Sequence, residues 1–193
     1  MQLVFASNNK HKIQEIQALV PNTIQIISLE DIGCIEDIPE TAETIEGNAI
    51  LKANYISSNY GYNCFADDTG LEVAALKGAP GVYSARYAGE QKDANDNMDK
   101  LLLDLKDKPN RKANFKTVIC LNFNGNQQLF TGIVTGKIIK EKIGTNGFGY
   151  DPIFISDGCD KTFAQLSLQE KATLSHRGKA VQKLIKFLNK MYI

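Results

Sequence analysis

Asp67 and Asp68 stand side by side at the end of a short apolar run, Cys64-Phe65-Ala66, and lead into Thr69-Gly70-Leu71. The triplet reads as a buried strand and Gly70 as the point where the backbone turns. The two acids are therefore expected where a strand opens into a loop, the place where α/β proteins build sites. Adjacent ionised carboxylates repel each other and need a cation to offset the repulsion. Mg²⁺, which prefers carboxylate and phosphate oxygens, is the expected one. Asp-Asp-x-Gly is also good turn chemistry, so other residues must decide whether the pair has a function.

Four further polar clusters bear on that decision. Ser7-Asn8-Asn9-Lys10-His11-Lys12 lies between an expected strand and an expected helix. Backbone N–H groups and the positive end of a helix dipole favour phosphate there, with Ser7 and Asn9 as added donors and Lys12 as a charge. Capping of the helix by Asn9 is the plainer alternative. No Walker-type or G-x-G-x-x-G loop is present. In Asn146-Gly147-Phe148-Gly149-Tyr150-Asp151-Pro152, two glycines would let the backbone approach a flat ligand while Phe148 stacks on it and Asp151 accepts from a ring N–H. Lys171 and Ser175-His176-Arg177-Gly178 offer donors to a carbonyl oxygen or a phosphate. Glu40-Thr41 precedes Thr44, and Asn48 and Lys52 are four apart on the helix that Thr44 would cap, so they share one face.

These residues need a scaffold. Leu3–Ala6 and Ile24–Leu29 read as strands, and Lys12–Val20 as an amphipathic helix. A helix is expected from Ile45 to about Asn59, and a short β-like segment over Leu71–Ala75 that Gly78-Ala79-Pro80-Gly81 breaks. Asp93 caps a helix bearing Met98, Leu101, Leu102 and Leu105. Phe115–Phe123 and Leu129–Val134 flank Asn124-Gly125, a hairpin signal. Ser167-x-x-Glu170 forms a capping box, and a last helix presents Val181, Leu184, Leu188 and Met191. A single α/β domain over residues 1–193 with a partly antiparallel sheet follows.

With 22 basic and 22 acidic side chains the net charge is zero, and no basic block marks a nucleic-acid binder. No apolar run reaches membrane-spanning length. The four cysteines, Cys34, Cys64, Cys120 and Cys159, are scattered without a C-x-x-C pair. Reduced thiols in a cytoplasmic protein are expected, with Cys64 and Cys120 in the core.

Taken in order, Ser7–Lys12, Glu40-Thr41 with Asn48 and Lys52, Ala66-Asp67-Asp68-Thr69-Gly70-Leu71, Gly81–Tyr87, Phe148-Gly149-Tyr150-Asp151-Pro152 and Ser175-His176-Arg177-Gly178 resemble the inosine triphosphate pyrophosphatase family, the Ham1/RdgB-like nucleotide hydrolases. Ser7-Asn8 stands where many members have Thr-Gly, and Thr69 where many have Ser. The resemblance implies two α/β lobes on a long central mixed sheet, a nucleotide-binding cleft between them, and a homodimer. It also implies Mg²⁺-dependent hydrolysis of inosine, deoxyinosine and xanthosine triphosphates to the monophosphate and pyrophosphate, which clears the nucleotide pool.

Carried over residue by residue, Ser7, Asn8, Asn9, Lys10, His11 and Lys12 would hold the triphosphate. Asp68 would bind Mg²⁺ and accept a proton from the attacking water. Glu40 would be a further metal ligand and Asp67 a candidate one, with Asn48 and Lys52 in support. Thr69, Phe148, Gly149, Tyr150, Asp151, Lys171, His176 and Arg177 would bind substrate. The septum-inhibitor-like pyrophosphatases share the general fold, but their first loop is Ser/Arg-rich. A nucleotide-binding module without catalysis would gain nothing from two acids facing a triphosphate.

Overall fold

The computed structural model describes residues 1–191. In chain order the elements are β1 (Gln2–Phe5), α1 (Lys10–Gln17), β2 (Gln25–Ile27), α2 (Ile45–Tyr60), β3 (Cys64–Val73), β4 (Pro80–Gly81), α3 (Ala94–Asp104), β5 (Lys112–Phe123), β6 (Asn126–Ile138), β7 (Phe154–Ser156), α4 (Leu168–Leu174) and α5 (His176–Met191). The sheet runs β2-β1-β3-β5-β6-β7, with β4 paired to β3. β1 pairs parallel with β2 and β3, whereas β3–β4 and β6–β7 are antiparallel, so the sheet is mixed as expected.

The chain divides into two compact units. The first comprises Met1–Asp68, Thr117–Gly132 and Arg177 onward, and the second Thr69–Lys116 and Ile133–His176. In the first unit the strands alternate strictly, as period-two geometry requires. Leu3, Phe5, Phe65, Ile119 and Leu121 face a core shared with Ile16 of α1 and Val181, Leu184 and Leu188 of α5. Their neighbours Val4, Ala6, Cys64, Ala66, Val118 and Cys120 face Ala49, Ala53 and Ile56 of α2. Burial pushes the Cys64 and Cys120 thiols up to about 12, which makes them inert packing residues. The second unit packs Leu71, Val73, Phe115, Val134, Ile138, Phe154 and Phe163 against Met98 and Leu101 of α3 and Leu105 at its C-terminal cap.

Most sequence expectations hold with shifted ends. Thr44 and Asp93 cap α2 and α3, and Ser167 with Glu170 forms the capping box of α4. Asn124 and Gly125 carry φ of 48° and 76°, the left-handed pair that a tight hairpin turn requires. The first helix starts two residues earlier than expected, because Asn9 caps it.

One expectation is corrected. The strand does not open into a loop at Asp67-Asp68: β3 continues through Gly70 to Val73. Gly70 is absent from the glycines with positive φ. β1, β4 and β5 all border this strand, and the demand to satisfy its backbone groups overrides the local turn chemistry. The three-residue strand β7 is too short to be read from the sequence. It forms where Gly136–Ile138 of β6 offers it partners.

Candidate active site

Because Asp67 and Asp68 lie within a strand, they point to opposite faces of the sheet. Asp67 continues the parity of Phe65 and meets α1 and α5. Its Oδ1 accepts from Lys12 Nζ at 2.8 Å, and its Oδ2 from Arg177 Nε at 2.9 Å. Asp68 continues the parity of Ala66 and meets α2, with Lys52 Nζ at 3.4 Å and Asn48 Nδ2 at 3.5 Å. The cations that offset Asp67 are therefore side chains drawn from residues 12 and 177, and repulsion between the acids does not by itself call for a metal.

The Asp67 side is a buried, charge-balanced tetrad. Arg177 Nη1 also donates to a Glu15 carboxylate oxygen, so two cations meet two anions. Burial works against the Asp67 carboxylate, but Lys12 and Arg177 outweigh it and hold its pKa far below the usual range. Burial likewise opposes the charge on Arg177, and Asp67 and Glu15 together raise its pKa. Burial lowers Lys12, with Asp67 pulling the other way. The sequence reading missed Glu15. The available signal was Lys12-x-x-Glu15, one helical turn on one face of α1 beside the core residue Ile16.

Removing one partner of such a pair strands its counterpart. Glu15→Ala should cost about 3–5 kcal/mol of stability, read from urea unfolding. A loss below about 1 kcal/mol would show the carboxylate to be replaceable. Acid should weaken the tetrad as well. Asp67 has a folded pKa below its ordinary 3.8, so its contribution is complete above that value and declines as pH falls through and below it.

On the α2 side Lys52 joins two acids. Its Nζ lies 2.5 Å from Glu40 Oε1 and 3.4 Å from Asp68 Oδ1. Burial disfavours the ammonium, but Asp68 and Glu40 outweigh it and raise its pKa. Asp68 moves the other way. Burial is the main cause of its raised pKa, the acids Glu40 and Asp67 add to it, and Lys52 and Lys12 oppose it. A carboxyl shifted upward is a better proton acceptor near neutral pH. Asn48 is fixed at both ends, since its Oδ1 accepts from the Ala42 N–H at 2.9 Å.

The loop before α1 is more self-satisfied than the sequence suggested. Asn9 Oδ1 accepts from the N–H groups of His11 and Lys12, and Ser7 Oγ accepts from the Asn9 N–H. Asn8, Asn9, Lys10 and His11 are exposed, and Ser7 and Lys12 half-buried. The capping alternative therefore holds for Asn9, and an anion here would meet exposed side chains and the Lys12 charge.

In the second unit Phe148, Asp151 and Lys171 converge. Asp151 Oδ2 accepts from the Phe148 N–H at 2.8 Å and from Lys171 Nζ at 2.5 Å, and Lys171 Nζ lies 4.9 Å from the Phe148 ring centroid. Gly147 and Gly149 have φ of 74° and 62°, which explains glycine on both sides of Phe148. Tyr150 is a core residue whose hydroxyl donates to the Ser84 carbonyl at 2.8 Å. His176 is buried and stacks on Phe115, with ring centroids 4.5 Å apart, which fixes the plane of the imidazole. Thr69 is a half-buried residue of β3.

Residues 3–187 match the Ham1 family. The chain is similar to a dITP/XTP pyrophosphatase of Flavobacterium psychrophilum, at 70% identity over 97% of this chain and 98% of that protein. It is also similar to one of Porphyromonas gingivalis, at 50% identity over 97% of each. Among solved structures, the Ham1 protein of Staphylococcus aureus superposes with a TM-score of 0.90 at 42% identity, covering 99% of this chain and all of that one. A HAM1 protein from Coxiella burnetii gives a TM-score of 0.91 at 39% identity, over 98% and 99% of the two chains. Sequence and fold agree over nearly the whole length, and the chain belongs to the Ham1 family.

Proposed function

We propose that this protein hydrolyses deaminated purine nucleoside triphosphates, those of inosine, deoxyinosine and xanthosine, to the monophosphate and pyrophosphate. The observation that supports this best is the meeting of Asp68 and Glu40 on the Lys52 ammonium, in a chain whose relatives are named for that reaction. The reaction forms a bond from water oxygen to the α-phosphorus and breaks the α–β anhydride, releasing pyrophosphate. Asp68 takes the proton of the attacking water. Lys52 holds the two acids together and lends positive charge to the phosphoryl oxygens, while Ser7 to Lys12 orient the triphosphate. In the second unit Phe148 would stack on the base and Lys171 and His176 would donate to it; Arg177, held by Asp67 and Glu15 in the first unit, is the remaining candidate donor.

The donor set suits Mg²⁺. Among the described residues no three His, Cys, Asp or Glu side chains converge as a complete ligand set. Two carboxylates with the remaining positions left to phosphate and water is the usual arrangement for this ion. Asp68 and Glu40 would hold it. Asp67 is not kept as a ligand, because Lys12 and Arg177 take both its oxygens. When bound, the ion neutralises charge developing on the phosphoryl group and acidifies water. Pyrophosphate release from inosine triphosphate should collapse in chelator and return on adding Mg²⁺. Equal turnover without divalent metal would remove the ion from this reading, and no release under any condition would remove the reading itself.

A two-fold dimer is proposed through the segment around Tyr83, which is 55% exposed and stacks with the Arg86 guanidinium at 5.2 Å. Aromatic and arginine side chains on an otherwise small-residue loop suit an interface core. Light scattering at micromolar concentration should give about twice the chain mass of 21.3 kDa. A monomer mass would refute the dimer. Four free cysteines support a reducing, cytoplasmic setting. No helix among the described residues is long and apolar enough to cross a membrane.

A further inference from the structure

The segment from Gly33 to Thr44 has neither helix nor strand, yet it carries Glu40. Side chains of α2 hold it in antiparallel order. Asn48 accepts from the Ala42 N–H at 2.9 Å, and Lys52 binds Glu40 at 2.5 Å. Further along the helix, Tyr55 and Tyr60 both donate to one oxygen of Glu36, at 2.8 and 2.7 Å. Residues 48, 52, 55 and 60 descend α2 while 42, 40 and 36 ascend the segment, so the segment lies along the helix as a strap with three rungs. The first two rungs belong to residues that also touch Asp68. The third touches nothing at the site and has no part in the chemistry.

We propose that the Tyr55–Glu36–Tyr60 latch is a positioning device, which fixes the strap so that Glu40 stays over Lys52 and beside Asp68. The proposal rests on Glu40 and Asp68 as the carboxylates that take the divalent ion. The physical reason is reach. With Glu36 tied, three residues separate it from Glu40, and the carboxylate can wander little. With Glu36 released, the next upstream hydrogen bond is that of the buried Cys34, whose N–H donates to the Leu29 carbonyl at 2.9 Å. The upstream hydrogen-bonded tether then lengthens by two residues, about 7 Å of extended chain, which loosens the placement of Glu40 beside Asp68. Ile38 packed on the α2 core, the Asn48–Ala42 bond and the Lys52 pair then steady the segment, and a single part-exposed pair is a weak restraint on the carboxylate itself. Two phenols on one carboxylate make charge-assisted hydrogen bonds; Tyr60, the Glu36 and Ile35 backbone N–H groups and Tyr55 together hold the Glu36 carboxyl down to about 2, so the latch stays charged throughout the neutral range.

The test is a Tyr55→Phe/Tyr60→Phe double variant, which removes only the two hydroxyls, with Glu36→Gln as the second route to the same break. In the metal-free protein, backbone hydrogen exchange over residues 35–42 should rise by about 10-fold, in line with losing hydrogen bonds to a charged group. The Mg²⁺ concentration giving half-maximal pyrophosphate release should rise about 3- to 10-fold, with kcat at saturating Mg²⁺ within about twofold of the unmodified protein. Unchanged exchange would show that the latch does not hold the strap, and faster exchange with unchanged Mg²⁺ dependence would show that it holds the strap without positioning Glu40. Either result overturns the proposal. Glu40→Gln separates failure of the underlying reading: if it leaves the Mg²⁺ dependence unchanged, Glu40 is no ligand, and the latch falls with that assignment.

Discussion

ATP is expected to be hydrolysed with a kcat/KM about 10⁴-fold below that for inosine triphosphate, the scale on which a hydrogen-bonding site rejects a mismatched partner. A six-keto purine presents an acceptor at position six and an N–H at position one. In the proposed reading Lys171 and His176 would supply donors, and Asp151 would supply the acceptor for N1–H. Adenine presents an amino donor and a lone pair at the same two places, so donors would face donors and buried groups would be left unpaired. Guanine matches at position six and must be refused at its two-amino group, so GTP should fall clearly below inosine and xanthosine triphosphates. His176→Ala is the informative variant, because the imidazole is held by stacking on Phe115, whereas Arg177 carries two buried carboxylates whose loss would destabilise the fold. It should lower kcat/KM for inosine triphosphate far more than for ATP. Comparable turnover of ATP and inosine triphosphate by the unmodified protein would remove the base-reading roles and leave the pyrophosphatase chemistry standing.

Asp68→Asn should lower kcat by at least about 10²-fold, the usual scale for losing a positioned general base. The substitution is nearly isosteric, and Asp68 sits 3.4 Å or more from its two α2 partners, so the fold should survive. Asp67→Asn provides the contrast. It breaks the tetrad and should show first as a loss of stability, since Asp67 is fully buried between Lys12 and Arg177. Single-turnover measurements with urea unfolding on both variants separate the two effects. Full turnover by Asp68→Asn would remove Asp68 from the chemistry and return attention to Asp67.

Local signals made much of the scaffold legible. Asn9, Thr44, Asp93 and Ser167 announce helix starts through short-range hydrogen bonds to their own backbone, and Asn124-Gly125 announces a hairpin through its left-handed φ. Asn48 and Lys52 likewise fall on the helix that Thr44 caps, whereas Lys10, His11 and Lys12 lie in the first turn of α1 and not in the loop before it. Gly70 misled because its turn tendency is local, while the pairing of β3 with strands on either side is not.

The sequence by itself determined that Asp67 and Asp68 are adjacent, that Asn48 and Lys52 share a helical face, and that the ordered motifs are those of a nucleotide hydrolase family. Only the tertiary structure decided that the two acids do different things. A strand alternates its side chains, so one acid enters a salt-bridged core with Lys12, Glu15 and Arg177, while the other meets Lys52 and Glu40. Arg177 lies 110 residues from Asp67 in the chain, and no local pattern encodes that pairing. It arises because the apolar faces of α1 and α5 must bury themselves on the same side of the sheet, which carries Arg177 and Lys12 to the one buried carboxylate there.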